Sequence, residues 1–283
     1  MAKTLGVDYC GYRVIKDDDP HLPDLYGDKM VNWYNLLENE YLVITDQDGN
    51  DVDIYKWQDG KHRTIYRKAV ESIALGKVKP KNFQQKCAID ALLDEKSTVK
   101  VLTGSFGSGK TMLACLCAFQ MIQAGQTDKI VWIRNPIGVK DVTEIGYLKG
   151  DLQTKLLPFV MPLCDHVGGS DALELYIQQG KIEVIHLAHI RGRDIRNSII
   201  FCSEAENLTR SQVQLLLGRV AEGTTIIFEG DFKQVDARTF ENENNGMKAA
   251  IDCLRGNKLF AYVNMPESVR SETAKLADLL DLE

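Results

Sequence analysis

The sequence predicts an α/β fold: a parallel sheet covered by helices on both faces, preceded by a small β-rich domain. Three observations carry this. From Lys79 onward, short runs rich in Val and Ile alternate with amphipathic stretches, the way parallel strands and their crossover helices read. Within that region the run Val99 to Leu102 leads into Gly104-Ser105-Phe106-Gly107-Ser108-Gly109-Lys110-Thr111, then into an apolar helical pattern through Ala124. Residues 1–75 are polar and loop-rich by contrast, so the chain divides into a small domain at 1–75 and a large one at 76–283.

The 283 residues are 44% hydrophobic with no run of 18 apolar residues, enough for one large core and one small one and too little for a membrane-spanning helix. The first residues, MAKTLGVDYCGYRV, lack the apolar centre of a signal peptide, so a cytoplasmic location is expected. Seven cysteines are dispersed with no C-x-x-C, which reads as reduced core thiols and not as disulfides or a zinc site. A net charge of −6 argues against coating nucleic acid by bulk charge but permits a local basic path, such as Lys77, Lys79, Lys81 and Lys86. Those lysines equally suit the solvated entry to a helix.

In chain order, residues 17–24 read as loops. Residues 41–45, 51–57 and 62–66 read as strands, with turns at Asp48-Gly49-Asn50 and Asp59-Gly60 making a small meander. Trp33, Tyr34, Trp57 and Tyr66 suit either a stacking platform for single-stranded nucleic acid or the core of a minimal sheet. Helices are expected at 83–93, 172–179, 209–220, 246–254 and 271–282, with a long helical region at 144–167 punctuated by Pro and Gly. Strands are expected at 129–134, 181–187, 198–202, 224–229 and 259–265.

The glycine-rich stretch is G-x-x-x-x-G-K-T between strand and helix. Phosphate is polyanionic and needs many donors with little steric bulk. Gly104, Gly107 and Gly109 let backbone N–H groups turn inward, with Ser105, Phe106 and Ser108 in the same cradle. The helix start adds free N–H groups and the positive dipole end. Lys110 reaches the β- and γ-phosphates, and the Thr111 hydroxyl is placed for Mg²⁺. At the end of a second strand, Glu204 fits a base that orients an attacking water, with Ser203 where an acid is expected. At a third, Asp231 and Gln234 are placed to sense a γ-phosphate, and Asp231 to hold a metal-bound water; at a fourth, Arg270 can neutralise phosphate charge.

Taken together, these stretches resemble the PhoH family of ATPases. The resemblance covers residues 76–283, from Lys79-Pro80-Lys81-Asn82-Phe83-Gln84-Gln85 through the glycine loop, Gly146-Tyr147-Leu148-Lys149-Gly150-Asp151 and Ile190-Arg191-Gly192-Arg193. It continues through Glu204-Ala205-Glu206-Asn207, Gly230-Asp231 with Gln234, and Arg270-Ser271-Glu272. It implies a RecA-like P-loop NTPase, similar to the first lobe of a superfamily 1 helicase, that binds ATP and Mg²⁺. Gln85 would then read adenine, Gln234 contact the γ-phosphate and Arg270 bind phosphate. A cytoplasmic, ring-forming ATPase acting on RNA or single-stranded DNA is implied too. Two departures stand out: Ser203 where members carry Asp, and Glu206 where they often carry Gln. Some members carry an N-terminal nuclease domain, which the residues before the match are too few to form.

A helicase motor closes ATP between two RecA-like lobes, and one lobe is expected here. The second wall would come from a neighbouring subunit in a closed ring, a hexamer by the resemblance. Arg191 and Arg193 are the candidates for an arginine finger, unless they pair with nearby carboxylates; Arg219 is a further candidate. Two other readings stand beside the motor: a nucleotide-gated binding or scaffold protein that hydrolyses little because of Ser203, and a small-molecule kinase.

Overall fold

The computed structural model describes residues 9–66, 69–73, 75–134, 160, 163–235 and 244–269. The expected helix at 271–282, Arg270, the Gly146 to Asp151 motif and most of the region 144–167 lie outside the described residues.

The N-terminal part holds β1 (Tyr12–Lys16), α1 (Leu22–Gly27), β2 (Tyr41–Thr45), β3 (Asp51–Gln58) and β4 (Lys61–Thr64). The meander β2-β3-β4 is antiparallel, as the turn residues predict. β1 is an addition: it pairs parallel with β2, in the order β1-β2-β3-β4. A parallel partner reached through a crossover leaves no turn signal between the two strands, so the sequence does not announce it. A hairpin, β5 (Val70–Ser72) with β6 (Gly76–Val78), follows and was likewise not expected.

The larger part contains α2 (Phe83–Leu93), β7 (Val99–Gly104), α3 (Lys110–Gln123), β8 (Lys129–Arg134), α4 (Ser170–Gln178), β9 (Ile182–His186), β10 (Ser198–Ser203), α5 (Arg210–Leu217), β11 (Thr225–Gly230), α6 (Gly246–Leu254) and β12 (Phe260–Met265). The six strands form one all-parallel sheet in the order β12-β7-β11-β10-β8-β9. Alternate strand residues bury two cores. Leu102, Trp132, Phe201 and Ile227 pack with α2, α3 and α4, and Val101, Val131, Ile200 and Phe228 pack with α5 and α6. Both faces are therefore covered, as parallel sheets require.

The N-terminal sheet is fastened to the larger part at several points. Tyr41, Val43 and Ile54 join the core of α2 and α3, and the Tyr41 hydroxyl donates to Asp90 on α2 at 2.9 Å. Lys56, fully buried, lies between Asp90 and Asp94. The backbone N–H of Asn264 on β12 donates to Cys10 O at 3.0 Å, and that of Tyr41 to Gly11 O at 3.0 Å. Gly11 has φ +82°, and a Cβ there would meet Tyr262 O at 1.8 Å, so only glycine bridges the two sheets so closely.

Of the four aromatics singled out, Tyr34 and Trp57 pack against the small core formed by Leu25, Leu42 and Tyr55, while Trp33 and Tyr66 are exposed.

Candidate nucleotide site

β7 lies between β11 and β12 and delivers the glycine loop to the carboxyl edge of the sheet. Gly104 has φ +137°, and a Cβ there would sit 2.0 Å from Met265 O, so a side chain would push the loop off β12. Gly107 and Gly109 also take positive φ, and Gly109 caps the N-terminus of α3. Phe106 stands exposed at the tip. Lys110 is mostly buried and folded back on the loop, its Nζ donating to Gly104 O at 2.8 Å and Ser105 O at 3.0 Å. Its positive charge is thus held in place with only carbonyls and a distant acid to satisfy it.

α2 enters from the side. Asn82 caps it, accepting from the Gln85 N–H at 3.0 Å. The Gln85 amide donates to Ser108 O at 2.9 Å and accepts from the Lys81 N–H at 2.8 Å. An amide has two N–H groups and two lone pairs, so one of each is left, the donor–acceptor pair that the N7 and N6 edge of adenine complements.

A cavity of about 540 Å³ opens over the loop. The loop, Thr111, Met112 and Gln85 form one wall; Lys79, Lys81 and His166 flank it; Ser203, Glu204, Glu206, Glu229, Gly230, Asp231 and Gln234 form the facing wall. So the described lining brings together the candidate residues from four separate stretches of sequence. Arg270 is outside the described residues, but the preceding Val269 lines the cavity and its N–H donates to Gly107 O at 3.1 Å.

The acids differ in setting. Glu204 follows β10 with φ +53°, a left-handed backbone that only a constrained turn holds in a non-glycine residue; its carbonyl accepts from the Asn207 N–H at 3.1 Å. Glu206 is buried behind it, and its carboxylate accepts from the Asp231 N–H at 3.2 Å. Burial pushes its carboxyl well above the usual carboxylate range. Asp231 accepts from the Lys233 N–H at 3.0 Å, which shapes the turn that carries Gln234.

The sequence reading assigned no role to Glu229, and it is the acid nearest the glycine loop. It is buried, with one oxygen 3.9 Å from Lys110 Nζ. Burial raises its pKa, against the pull of the Lys110 charge and a hydrogen bond with the Thr111 hydroxyl. His166, also unremarked, is held below its usual pKa by burial. Arg193 donates to Glu183 at 2.7 Å, and Lys129 shares that carboxylate at 2.6 Å. Arg191 is exposed, and neither arginine lines the cavity. Arg219 donates to Arg193 O at 3.4 Å.

The lining fits a triphosphate that arrives with Mg²⁺. Among the described residues, the acids Glu204 and Asp231, with the buried Glu206 and Glu229 behind them, face three ammonium groups (Lys79, Lys81, Lys110), so the lining offers a bare polyanion no large excess of positive charge. No group of three or more His, Cys, Asp or Glu among the described residues holds a metal by itself. Mg²⁺ in such sites is held largely by phosphate oxygens and water, with one or two protein oxygens, and Thr111 is positioned to supply one.

A phosphate-cradling loop at the carboxyl edge of an all-parallel RecA-like sheet, with acids on the strands beside it, defines a P-loop nucleotide-binding protein. Residues 77–279 match the family described as PhoH-like protein. The chain is 31% identical to Protein PhoH2 of Bacillus subtilis, over 96% of this chain and 64% of that protein. It is 30% identical to a PhoH-like protein of a Synechocystis species, over 74% of this chain and 64% of that one. It is also 30% identical to Protein PhoH2 of Mycolicibacterium smegmatis, over 69% of this chain and 45% of that one. The chain thus spans less than two-thirds of each relative. It belongs to the PhoH family, and with that family it is an ATPase-like nucleotide-binding protein. Among the described residues, no helix is long and apolar enough to cross a membrane.

Proposed function

We propose that the protein binds ATP with Mg²⁺, hydrolyses it, and works as a ring-forming motor on RNA or single-stranded DNA. The observation that carries the hydrolysis is the single cavity uniting Lys110 and Thr111 with Glu204 and Gln234. On binding, phosphate oxygens take the Lys110 protons from the Gly104 and Ser105 carbonyls. Gln85 holds adenine through its remaining N–H and lone pair. Glu204 orients a water toward the γ-phosphorus and accepts its proton as the bond to the β-phosphate oxygen breaks, leaving ADP and phosphate. Gln234 contacts the γ-phosphate and passes its loss on through the turn that Asp231 shapes. Thr111 would help to hold the metal, which would neutralise part of the charge on the phosphates.

The ring is supported by the one RecA-like sheet among the described residues, with its site opening at the strand ends. A neighbouring lobe would close it, in a hexamer, and bring an arginine finger from Arg191 or Arg193. Arg270 adds phosphate contact from within the subunit. Action on nucleic acid is supported by the exposed rings of Trp33 and Tyr66, which can stack on bases. Ser203 favours a second reading, a nucleotide-gated scaffold that turns over little. Sizing the protein with and without ATP, then assaying phosphate release on a panel of RNA and DNA, tests both. Nucleic-acid-stimulated release from an ATP-dependent ring supports the motor; an ATP-dependent ring without release supports the scaffold, and no ATP-dependent assembly overturns both.

A further inference from the structure

Ser203 leaves the site one carboxylate short, and the structure contains a replacement. Cys202 on β10 pairs with Phe228 on β11, so Ser203 and Glu229 are the next residues along and lie side by side. They fall on the face of Phe201 and Ile227, which α3 covers. Ser203 Oγ is buried there, lines the cavity and has no hydrogen-bond partner. Glu229 lines the same cavity beside Lys110 and Thr111.

We propose that Glu229 is the carboxylate of the Mg²⁺ side of the nucleotide site, standing in for the acid that Ser203 lacks. This assignment rests on the nucleotide reading above. Strand order makes the transfer sound. β11 lies between β10 and β7, so an acid on β11 is one strand closer to the glycine loop than an acid at Ser203 would be. Adjacent strands are about 4.8 Å apart, and glutamate is longer than aspartate by one methylene, so one point above Thr111 is within reach of either position. Glu229 is also short of positive charge. Lys110, 3.9 Å away, gives two of its three protons to carbonyls, so it offsets the charge of the acid only in part. A buried carboxylate in that condition is costly unless a further cation joins it. A divalent ion brought in with the phosphates supplies the missing charge, and the empty lone pairs of Ser203 Oγ suit a water in the ion's shell.

The test is binding of a fluorescent ATP analogue to the intact protein, in EDTA and across a Mg²⁺ titration. The wild type is expected to bind in both and to gain affinity with Mg²⁺. Glu229→Gln is expected to bind in EDTA no more weakly than the wild type, since a negative charge beside the phosphates is gone, and to need at least tenfold more Mg²⁺. Adding Ser203→Asp to Glu229→Gln is expected to restore the wild-type Mg²⁺ midpoint. If Glu229→Gln does not fold, Glu229→Asp retains the charge at shorter reach and is expected to raise the midpoint severalfold. A folded variant at Glu229 with the wild-type Mg²⁺ midpoint overturns this assignment alone. A wild type that binds no nucleotide at any Mg²⁺ concentration overturns the nucleotide reading itself.

Discussion

At the scale of single residues, Lys110 and Glu204 carry the sharpest expectations. Lys110 has no acid closer than Glu229 and no role in a core, so Lys110→Ala should leave the fold intact. Losing a charge-assisted bond of about 1.5–3 kcal/mol should weaken triphosphate binding roughly 10- to 100-fold, measured by titration calorimetry. Unchanged affinity in the folded variant would remove the basis of the phosphate site. Glu204→Gln keeps shape and loses the base, so nucleotide binding should persist while turnover falls about 10²-fold or more. Full turnover would place the base elsewhere, with Glu206 next in line behind it. Lys110, Thr111, Glu204 and Gln234 were legible in the sequence because each stands at a fixed local spacing from glycines or a strand end. Glu229 was not. It was in plain view before Gly230 and Asp231, but its importance depends on β11 lying beside β7, and strand order has no local signature. That Arg193 pairs with a carboxylate was an alternative open in the sequence; its partner, Glu183, was hidden for the same reason, since it belongs to the edge strand β9.

Among the elements, the join between β3 and α2 is the one most exposed to pH. Lys56 lies buried between Asp90 and Asp94. Burial works to raise the Asp94 pKa, but the Lys56 charge and hydrogen bonds from Lys56, the Lys96 N–H and Gln58 bring it down to about 2. A carboxylate depressed by about two units contributes roughly 2–3 kcal/mol. Because its folded pKa lies below the unfolded value, that contribution is present above pH ~4 and is lost as pH falls toward 2. Lys56→Met should strand two buried acids and destabilise by about 3–5 kcal/mol at neutral pH. Urea unfolding at pH 7 and at pH 4 checks it: the gap between variant and wild type should narrow at the lower pH, and an equal gap at both would deny the ion pair its role. The helices and inner strands of the larger part were legible from periodicity, with α2 and α6 falling on their expected residues, whereas α1 (Leu22–Gly27) forms partly where residues 17–24 read as loops, being too short and too polar to show a period. β1 and the β5-β6 hairpin were not. β1 finds its partner across a crossover, and the hairpin strands have only three residues each, too few for a pattern.

For the molecule as a whole, the open question is how the site is closed. Arg193 is held by Glu183 within its own subunit, whereas Arg191 is exposed, so Arg191 is the readier finger. Arg191→Ala should bind ATP and turn over slowly. Mixed with Glu204→Gln subunits it should regain part of the activity, since some interfaces then hold both intact groups. Phosphate release across mixing ratios measures this; mixed rings without any recovery would count against a finger from the neighbour.

The bridge at Gly11 also bears on the order of assembly. The glycine-loop strand β7 is made early, yet its sheet neighbours β11 and β12 are the last two strands of the sheet to be made. The N-terminal sheet is made first, and its bridge to the larger sheet waits for β12, because the Asn264 N–H donates to Cys10 O. At about 5–20 residues per second, the interval between β7 and β12 is on the order of ten seconds or more. Until β11 is made, for most of that time, the nascent chain has neither of the strands that flank β7 in the sheet. The bridge from Cys10 to Asn264 can therefore form only after β12 has been made, so the join between the two sheets is among the last parts of the fold to be completed.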